Sequence, residues 1–412
     1  MGQGQSTNHV DQYFGKLVVP PFHEARKYDV PIYSKAAYLQ YSLEKYQEAL
    51  DVLGKGELEL EDKVLKCFAR VHGERPEKGY MIFIGMHGGG GCPKDVNDAQ
   101  WENHKWLYKE DMPDGCIWIA PRAPEDAWNM WHLPYIDLMF EKLFEYLIIA
   151  NIADPNKLYI TGYSAGGDGT YRLGTRMADW LAGAAMCAGH PGDTTLKNCR
   201  NIGFCLHVGG SDHAYDRASI ARKLTDQISE FKNQDGSDGY HHFCQVYDGK
   251  GHWMDGQEGA VFPWLAQRTR NPYPHRIVWE QDCDVMKRRF YWIGVPLEAA
   301  KRGKYLEAKR NGNVIDIYTV DYEEVIIYLN DGMVDLFSPV TVNVNGVFHF
   351  SDNVPRSLYL PHDSLKERGD PYAGHCATLT VRVNEVATTS PNGPGINIGV
   401  GHKGLGFGLS LF

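Results

Sequence analysis

The run Leu158-Tyr159-Ile160-Thr161-Gly162-Tyr163-Ser164-Ala165-Gly166-Gly167 joins an apolar, β-branched segment directly to the pattern Gly-x-Ser-x-Gly. Residues of this kind favour a β-strand up to the first glycine. The glycines two positions before and after Ser164 permit a sharp strand-to-helix turn, because such a turn leaves little room for Cβ atoms. The turn lifts the serine oxygen above the edge of the sheet. The run therefore predicts a strand, a reactive serine and a helix, in that order.

A glycine-rich loop lies upstream, where the apolar run 80–86 is followed by His87-Gly88-Gly89-Gly90-Gly91. Glycines let backbone N–H groups approach a substrate oxygen closely, as an oxyanion hole requires. We expect the donors to be the amide of Gly89 or Gly90 together with the amide of Ala165, the residue after the candidate nucleophile. No Lys-Ser or Lys-Thr pair follows the glycines, which disfavours a phosphate-binding P-loop.

An acid and a base follow Ser164 in the chain. The short apolar run 204–208 leads to Asp212, and an Asp just past a strand end can orient a histidine above the sheet. Asp216 is the rival acid, and Asp212 is preferred because it lies closer to the strand end. His252 follows a glycine loop at the end of a later strand, and neutral imidazole can accept the serine proton at neutral pH. The order Ser…Asp…His is the one expected after a nucleophile of this kind.

Five side chains near these segments are predicted to line a substrate pocket: His87, Trp128, Trp131, His190 and Trp253. Aromatic rings would give such a pocket apolar contact area. His87 is also placed to shape the glycine loop. Two alternatives stay open: the tryptophans in the segment 128–132 cap the edge of the sheet, and His190 is a hydrogen-bonded structural residue.

The composition limits the classes of function. The 412 residues carry a formal charge of −10, which disfavours nucleic-acid binding, and their 43% hydrophobic content is ordinary for a globular protein. No apolar run approaches 18 residues, so no membrane span is predicted. The nine Cys include no Cys-x-x-Cys pair and are interpreted as reduced thiols of a cytoplasmic protein. No His-Glu-x-x-His motif and no cluster with zinc spacing occurs, so no metal and no cofactor is predicted.

Both ends of the chain are predicted to extend from the folded part. Residues 1–34 are interpreted as an arm, and residues 389–412 as a glycine-rich tail whose apolar side chains favour docking to a protein partner. The first six residues match the pattern Met-Gly-x-x-x-Ser, which makes Gly2 a candidate for N-myristoylation. One myristoyl chain would give weak membrane association. The expected default is a soluble protein.

The order of predicted elements gives the architecture. Helices are predicted at 35–53 and 57–72. Strands and helices then alternate, as in a mainly parallel sheet with helices on both faces; the strands are near 80–86, 116–120, 157–162, 182–187, 203–208 and 242–248, and the helices near 136–150, 167–180 and 217–233. After residue 272, short alternating strands predict a smaller β-sandwich-like domain. The predicted divisions are an N-terminal arm with helices (1–75), an α/β domain (76–272), the β-sandwich-like domain (273–388) and the tail (389–412).

Residues 80–270 resemble the α/β-hydrolase superfamily, in particular serine esterases and peptidase-like hydrolases of the dienelactone-hydrolase or polyhydroxybutyrate-depolymerase type. The resemblance rests on the segments 87–91, 120–124, 162–169, 188–191 and 251–253. It implies Ser164 as nucleophile, Asp212 as acid and His252 as base. Residues 273–388 resemble a β-rich appendage of some uncharacterised hydrolases of this type, and this second resemblance identifies no activity.

The expected reaction is hydrolysis of a small or medium carboxylic ester through a serine acyl-enzyme. Hydrolysis of a peptide or another amide is the alternative within the same fold. A further alternative is a structural component of a larger assembly that keeps the hydrolase fold and is held by its arm and tail. Labelling of the serine by an activity-based probe would separate the enzyme from the structural component.

Overall fold

A computed structural model describes residues 29–236, 238–281 and 285–385 of the chain. The predictions for Gly2, for most of the arm and for the tail 389–412 lie outside these residues. No helix within the described ranges combines the length and the apolar character needed to cross a bilayer.

The centre of the fold is an eight-stranded sheet. Its order is β1-β2-β4-β3-β5-β6-β7-β8, in which β3 to β8 run parallel while β1 and β2 are antiparallel additions at one edge. The strands are β1 (Glu57–Leu60), β2 (Lys63–His72), β3 (Tyr80–Met86), β4 (Cys116–Arg122), β5 (Ala153–Tyr163), β6 (Gly183–Cys187), β7 (Gly203–Gly209) and β8 (His242–Tyr247). Every residue of β4, β6 and β7 is buried, as expected for parallel strands covered on both faces.

In the described part of the chain, six α-helices accompany this sheet: α1 (Asp29–Lys55), α2 (Lys94–Trp106), α3 (Pro134–Ile149), α4 (Ala165–Arg176), α5 (Arg217–Asp235) and α6 (Val261–Ala266). The strand order, the parallel core and the serine at the β5–α4 turn define an α/β-hydrolase fold. The predicted fold class is confirmed. Because β3, β5, β7 and β8 run parallel, the loops after their carboxyl ends meet at one edge of the sheet, where the site must form.

One N-terminal prediction is wrong, and one predicted helix is present but begins earlier than expected. Residues 57–72 form the hairpin of β1 and β2 instead of a helix, with Glu61 in the turn at φ 53°. The charged residues conceal an alternating pattern, since Leu58 and Leu65 are buried while their neighbours face outward, and β2 gains a full ladder with β4. The helix expected at 35–53 begins earlier, at residue 29, because Pro31 lies in its first turn, where a missing N–H costs nothing.

The C-terminal region adds two smaller sheets and one helix. One sheet has the order β16-β15-β13-β12-β9 and the other β10-β11-β14-β17. Alternate residues of both sheets are buried in a common apolar cluster, in which Trp279 stacks on Phe290 with ring centroids 5.8 Å apart. The elements are β9 (Arg276–Glu280), β10 (Arg289–Phe290), β11 (Ile293–Gly294), β12 (Tyr305–Asn311), β13 (Val314–Tyr318), β14 (Glu324–Leu329), β15 (Val340–Val344), β16 (Val347–Asp352), α7 (Leu360–Arg368) and β17 (Ala377–Arg382).

Buried ion pairs join this region to the main sheet. Arg270 contacts Asp370 at 2.7 Å, and neither side chain has any exposed surface. Arg368 pairs with Asp179 beside them, and the hydroxyl of Tyr291 donates to the carbonyl of Ala178 at 2.9 Å. Buried polar contacts therefore hold the C-terminal region against the region of the main sheet. The predicted division at residue 272 remains a prediction.

Candidate active site

The serine turn is held by close backbone contacts. Ser164 lies between the end of β5 and the start of α4 with φ 58° and ψ −119°, a conformation that non-glycine residues rarely adopt. A Cβ on Gly162 would overlap the carbonyl group of Gly166, and a Cβ on Gly166 would overlap the carbonyl of Met86. Both flanking glycines are therefore required sterically, and the serine side chain projects from a strained, well-fixed turn.

Ser164, His252 and Asp212 form a continuous hydrogen-bonded chain. The Nε2 atom of His252 lies 2.9 Å from Oγ of Ser164, and its Nδ1 lies 2.7 Å from Oδ2 of Asp212. Asp212 is only 2% exposed, whereas the His252 ring is 44% exposed and Ser164 is partly exposed. A carboxylate at Nδ1 fixes the tautomer in which Nδ1 carries the proton and Nε2 is free to accept one.

The loops that carry the acid and the base are joined to each other. The backbone N–H of Ser211 donates to the carbonyl of Lys250 at 2.8 Å. A Cβ on Gly209 would overlap the carbonyl of Gly251, so a glycine at this position allows the two loops to meet. Asp216, the rival acid, is exposed and has no hydrogen bond or ion pair to the base in the described part of the chain.

Arg217, the first residue of α5, adds a positive charge beside the acid. Its guanidinium lies 3.7 Å from Oδ1 of Asp212, the oxygen that His252 does not use. The side chain is buried and lies 4.8 Å from the ring of the exposed Tyr215. A buried carboxylate needs such compensation, because burial disfavours an isolated charge.

The glycine loop changes the predicted set of oxyanion donors. The N–H of Gly90 already donates to Oδ1 of Asn97 at 3.0 Å, so the proposal of Gly90 as a donor is wrong. The amides of Gly89 and Ala165 donate no hydrogen bond to any described residue. The loop contacts the serine turn directly, since a Cβ on Gly88 would lie 3.3 Å from Cβ of Ser164. Gly89 and Ala165 remain the candidate donors.

Asn97, on α2, fixes this loop. Besides accepting the N–H of Gly90, it donates from Nδ2 to the carbonyl of Gly90 at 2.9 Å and to Oδ1 of Asp126 at 2.9 Å. Asp126 in turn pairs with the buried Arg122. Asn97 has no exposed surface, so its hydrogen bonds all go to protein groups, namely Gly90 and Cys92 of the loop segment and Asp126. Sequence reasoning missed this residue, because a single Asn in a charged helix gives no signal.

Two predicted pocket residues are buried beneath the glycine loop 87–91 and hold it in place instead of facing a substrate. His87 has no exposed surface: its Nδ1 donates to the carbonyl of Gly88 at 2.6 Å and its Nε2 accepts the N–H of Ala123 at 3.2 Å. Burial lowers the pKa of His87 to about 4, so the ring is neutral at pH 7. Trp131 is also fully buried and donates its indole N–H to the carbonyl of His87 at 2.8 Å. The expectation that these two side chains line a pocket is wrong.

Trp131 is buried against α4, where a glycine leaves room for its side chain. A Cβ on Gly169, in α4, would overlap Cβ of Trp131, and the indole meets the His87 ring edge to face at 5.0 Å. The indole therefore packs between α4 and the glycine loop.

The other three predicted pocket residues have exposed surface near the site. Trp128 is 70% exposed, and its backbone would lie 3.6 Å from a Cβ on Gly90. Trp253 is 49% exposed and follows the base directly. The backbone N–H of His190 donates to Asp168 at 2.6 Å, and burial lowers the pKa of the half-buried imidazole. Their contact with a substrate stays a prediction.

Among the residues that the structure describes, no three His, Cys, Asp or Glu side chains are grouped as a metal site would need.

No protein-family model matches the chain, and no curated protein matches it. Among solved structures, the chain is similar to a thermostable esterase (18% identity, 52% of this chain and 62% of that chain, TM-score 0.40). It is similar to the BES protein from Bacillus cereus (11% identity, 51% and 92%, TM-score 0.35). It is also similar to the S-formylglutathione hydrolase FrmB from Staphylococcus aureus (10% identity, 51% and 97%, TM-score 0.35). The chain thus spans less than two thirds of the first of these proteins.

Proposed function

We propose that the protein is a serine hydrolase that cleaves carboxylic esters through an acyl-enzyme. One observation carries the proposal: a single hydrogen-bonded chain runs from Asp212 through His252 to Ser164, and the serine lies on a strained turn beside free backbone amides. Nucleophile, base and orienting acid in this geometry are what acyl transfer by a serine requires. The α/β-hydrolase fold supports the proposal as the scaffold for this chemistry.

In the acylation step, Oγ of Ser164 attacks the ester carbonyl carbon while Nε2 of His252 accepts the hydroxyl proton. The electron pair of the carbonyl moves onto its oxygen, and the amides of Gly89 and Ala165 are the proposed donors to that oxyanion. Each such donor is worth about 3–4 kcal/mol of barrier. His252 then gives its proton to the alcohol oxygen as the carbon–oxygen bond breaks, and Asp212 stabilises the transient imidazolium.

In the deacylation step, a water molecule repeats the attack on the acyl-serine. His252 takes one proton from the water, and the tetrahedral intermediate collapses with return of that proton to Oγ of Ser164. The products are a carboxylic acid and the free serine. The exposed face of His252 allows water to reach the acyl group from solvent.

Ester and amide substrates with the same acyl group test this proposal. We expect wild type to hydrolyse 4-nitrophenyl butyrate much faster than the 4-nitroanilide of butyric acid, and Ser164→Ala to lose the ester activity by a factor of 10³ or more (about the scale of nucleophile removal). Ser219→Ala, on the exposed surface of α5, is the matched control and should keep wild-type activity. Faster cleavage of the anilide would make the protein an amidase. Activity that survives Ser164→Ala, or none in wild type, would refute the serine-hydrolase proposal.

A further inference from the structure

The loop that carries His252 is rich in glycine. Residues 248–256 include three glycines at which an added Cβ would meet nothing within 4 Å, namely Gly249, Gly251 and Gly256. The His252 ring itself is 44% exposed. Glycine-rich backbone is conformationally free, so the position of this segment relative to the serine turn depends on a contact with that turn, besides the bonds of Lys250 and His252 to the loop of Asp212.

Tyr163, the residue immediately before the candidate nucleophile, supplies that contact. Its hydroxyl donates to the backbone carbonyl of His252 at 2.6 Å and accepts the backbone N–H of Met254 at 3.2 Å. One hydroxyl thus holds the chain on both sides of Trp253. Met254 has no exposed surface and Tyr163 is 8% exposed, so water does not replace these bonds readily.

We propose that Tyr163 is a positioning residue for His252, an inference that rests on the proposed serine-hydrolase function. Tyr163 and Ser164 are consecutive, so a rigid turn fixes the tyrosine ring relative to the serine oxygen. The hydroxyl then fixes the distance between the loop 248–256, which carries His252, and the same serine. Tyr163 therefore helps to set the separation of Nε2 and Oγ through the backbone, in addition to the bond between His252 and Asp212 that holds the ring.

The separation of Nε2 and Oγ matters because the rate of proton transfer falls steeply as the distance between the two atoms grows. A displacement of about 1 Å in a reacting group costs on the order of 100-fold in rate. The tyrosine hydroxyl is engaged by the backbone, so it does not bind substrate. Its loss should lower kcat about 10- to 100-fold and change KM less than about twofold.

Tyr159 offers a matched control on the same strand and the same face of the sheet. It is fully buried, and its hydroxyl donates to the carbonyl of Arg268 at 2.7 Å, away from the base loop. Tyr159→Phe and Tyr163→Phe therefore each remove one buried tyrosine hydroxyl that donates to a backbone carbonyl. A purely structural role would make the two variants alike in activity.

The test compares wild type, Tyr163→Phe, Tyr159→Phe and Ser164→Ala with 4-nitrophenyl butyrate as the substrate. The measurements are kcat, KM and Tm, together with the second-order rate of phosphonylation by a fluorophosphonate. Turnover is expressed per serine that the fluorophosphonate labels at completion, so misfolded protein does not count. The expected result is a loss of kcat and of phosphonylation rate in Tyr163→Phe alone, with KM nearly constant and Tm lowered to a similar extent in both phenylalanine variants.

Three results would overturn the proposal: wild-type kcat in Tyr163→Phe, a change in KM alone, or an equal loss of kcat in Tyr159→Phe. In each of these cases, inactive Ser164→Ala would leave the serine-hydrolase function standing. Activity that persists in Ser164→Ala would instead refute the function on which the proposal rests.

Discussion

The side chain of Asn97 connects α2 to the glycine loop. Its amide accepts the N–H and donates to the carbonyl of the same residue, Gly90, at 3.0 and 2.9 Å. Asn97→Ala removes both bonds and leaves the buried N–H of Gly90 unpaired, whereas the carbonyl of Gly90 still accepts the N–H of Cys92 at 2.8 Å. We expect this substitution to displace Gly89, the neighbouring residue whose amide is the proposed oxyanion donor, as well as to destabilise the protein.

The magnitude follows from the one unpaired N–H. A buried donor without a partner costs about 1–3 kcal/mol, so the free energy of unfolding should fall by about that amount, and by the lower figure if the loop moves so that water reaches the N–H. Loss of one aligned oxyanion donor costs about 10²–10³ in kcat. The prediction is therefore a fall of at least about 100-fold in kcat, beyond any effect of stability at a temperature where the variant is folded.

Asn198 provides the matched control, because it braces another residue in the same way. Its Oδ1 accepts the N–H of Glu280 at 2.7 Å and its Nδ2 donates to the carbonyl of Glu280 at 2.9 Å, at a junction away from the serine. Asn198→Ala should lower stability to a similar extent while keeping kcat near that of wild type. The assay is steady-state hydrolysis of 4-nitrophenyl butyrate alongside urea unfolding of both variants. Equal losses of kcat in the two variants would refute the role of Asn97 in the loop.

Three further predictions concern the acid, the pH dependence and the junction. Asp212→Asn should favour the wrong tautomer of the base and cut kcat by on the order of 10⁴ with the fold intact, while Asp216→Asn changes kcat little; the reverse ranking in steady-state assays would contradict the acid assignment. The pKa of His87 falls from its ordinary value to about 4 in the fold. The contribution of the neutral His87 ring to the stability of the folded protein is therefore fully present above pH 6.5 and is lost as the pH falls towards 4. That loss is up to about 3 kcal/mol. Urea unfolding at pH 7 and pH 4 gives the drop in the free energy of unfolding between these pH values, and this drop should be smaller in His87→Gln than in wild type. An equal drop in both proteins would contradict the lowered pKa of His87. Asp370→Asn leaves the buried Arg270 without a full counter-charge and should lower the free energy of unfolding by about 3–5 kcal/mol in urea titrations. A change below about 1 kcal/mol would contradict the claim that this ion pair stabilises the junction.

The sequence predicted those parts of the molecule whose signals are local. The serine turn depends on glycines two positions away, and buried parallel strands such as 203–209 are mostly apolar, so both can be recognised from short segments. The order of serine, acid and base along the chain then follows from the fold. The hairpin at 57–72 was predicted wrongly, because its pairing partner β4 lies some 50 residues further on and its charged residues suit a helix equally well.

The details of the site depended on contacts between distant segments. Nothing near Gly90 indicates that its amide is occupied by Asn97, and nothing near Tyr163 indicates that its hydroxyl reaches residues 252 and 254. Trp131 and Trp128 occur in one short segment, yet one is fully buried and the other 70% exposed. Only the three-dimensional packing of the loop against α2 and α4 distinguishes the two tryptophans.

The most direct measurement of the central claim is mass spectrometry of the protein after reaction with a fluorophosphonate. A serine activated by a neighbouring histidine reacts with such a probe, whereas ordinary serines do not. We predict one phosphonyl group per chain, located on Ser164 by peptide mapping, absent from Ser164→Ala and formed far more slowly in His252→Ala. Labelling of another residue, or no labelling of folded wild-type protein, would contradict the assignment of Ser164 as an activated nucleophile.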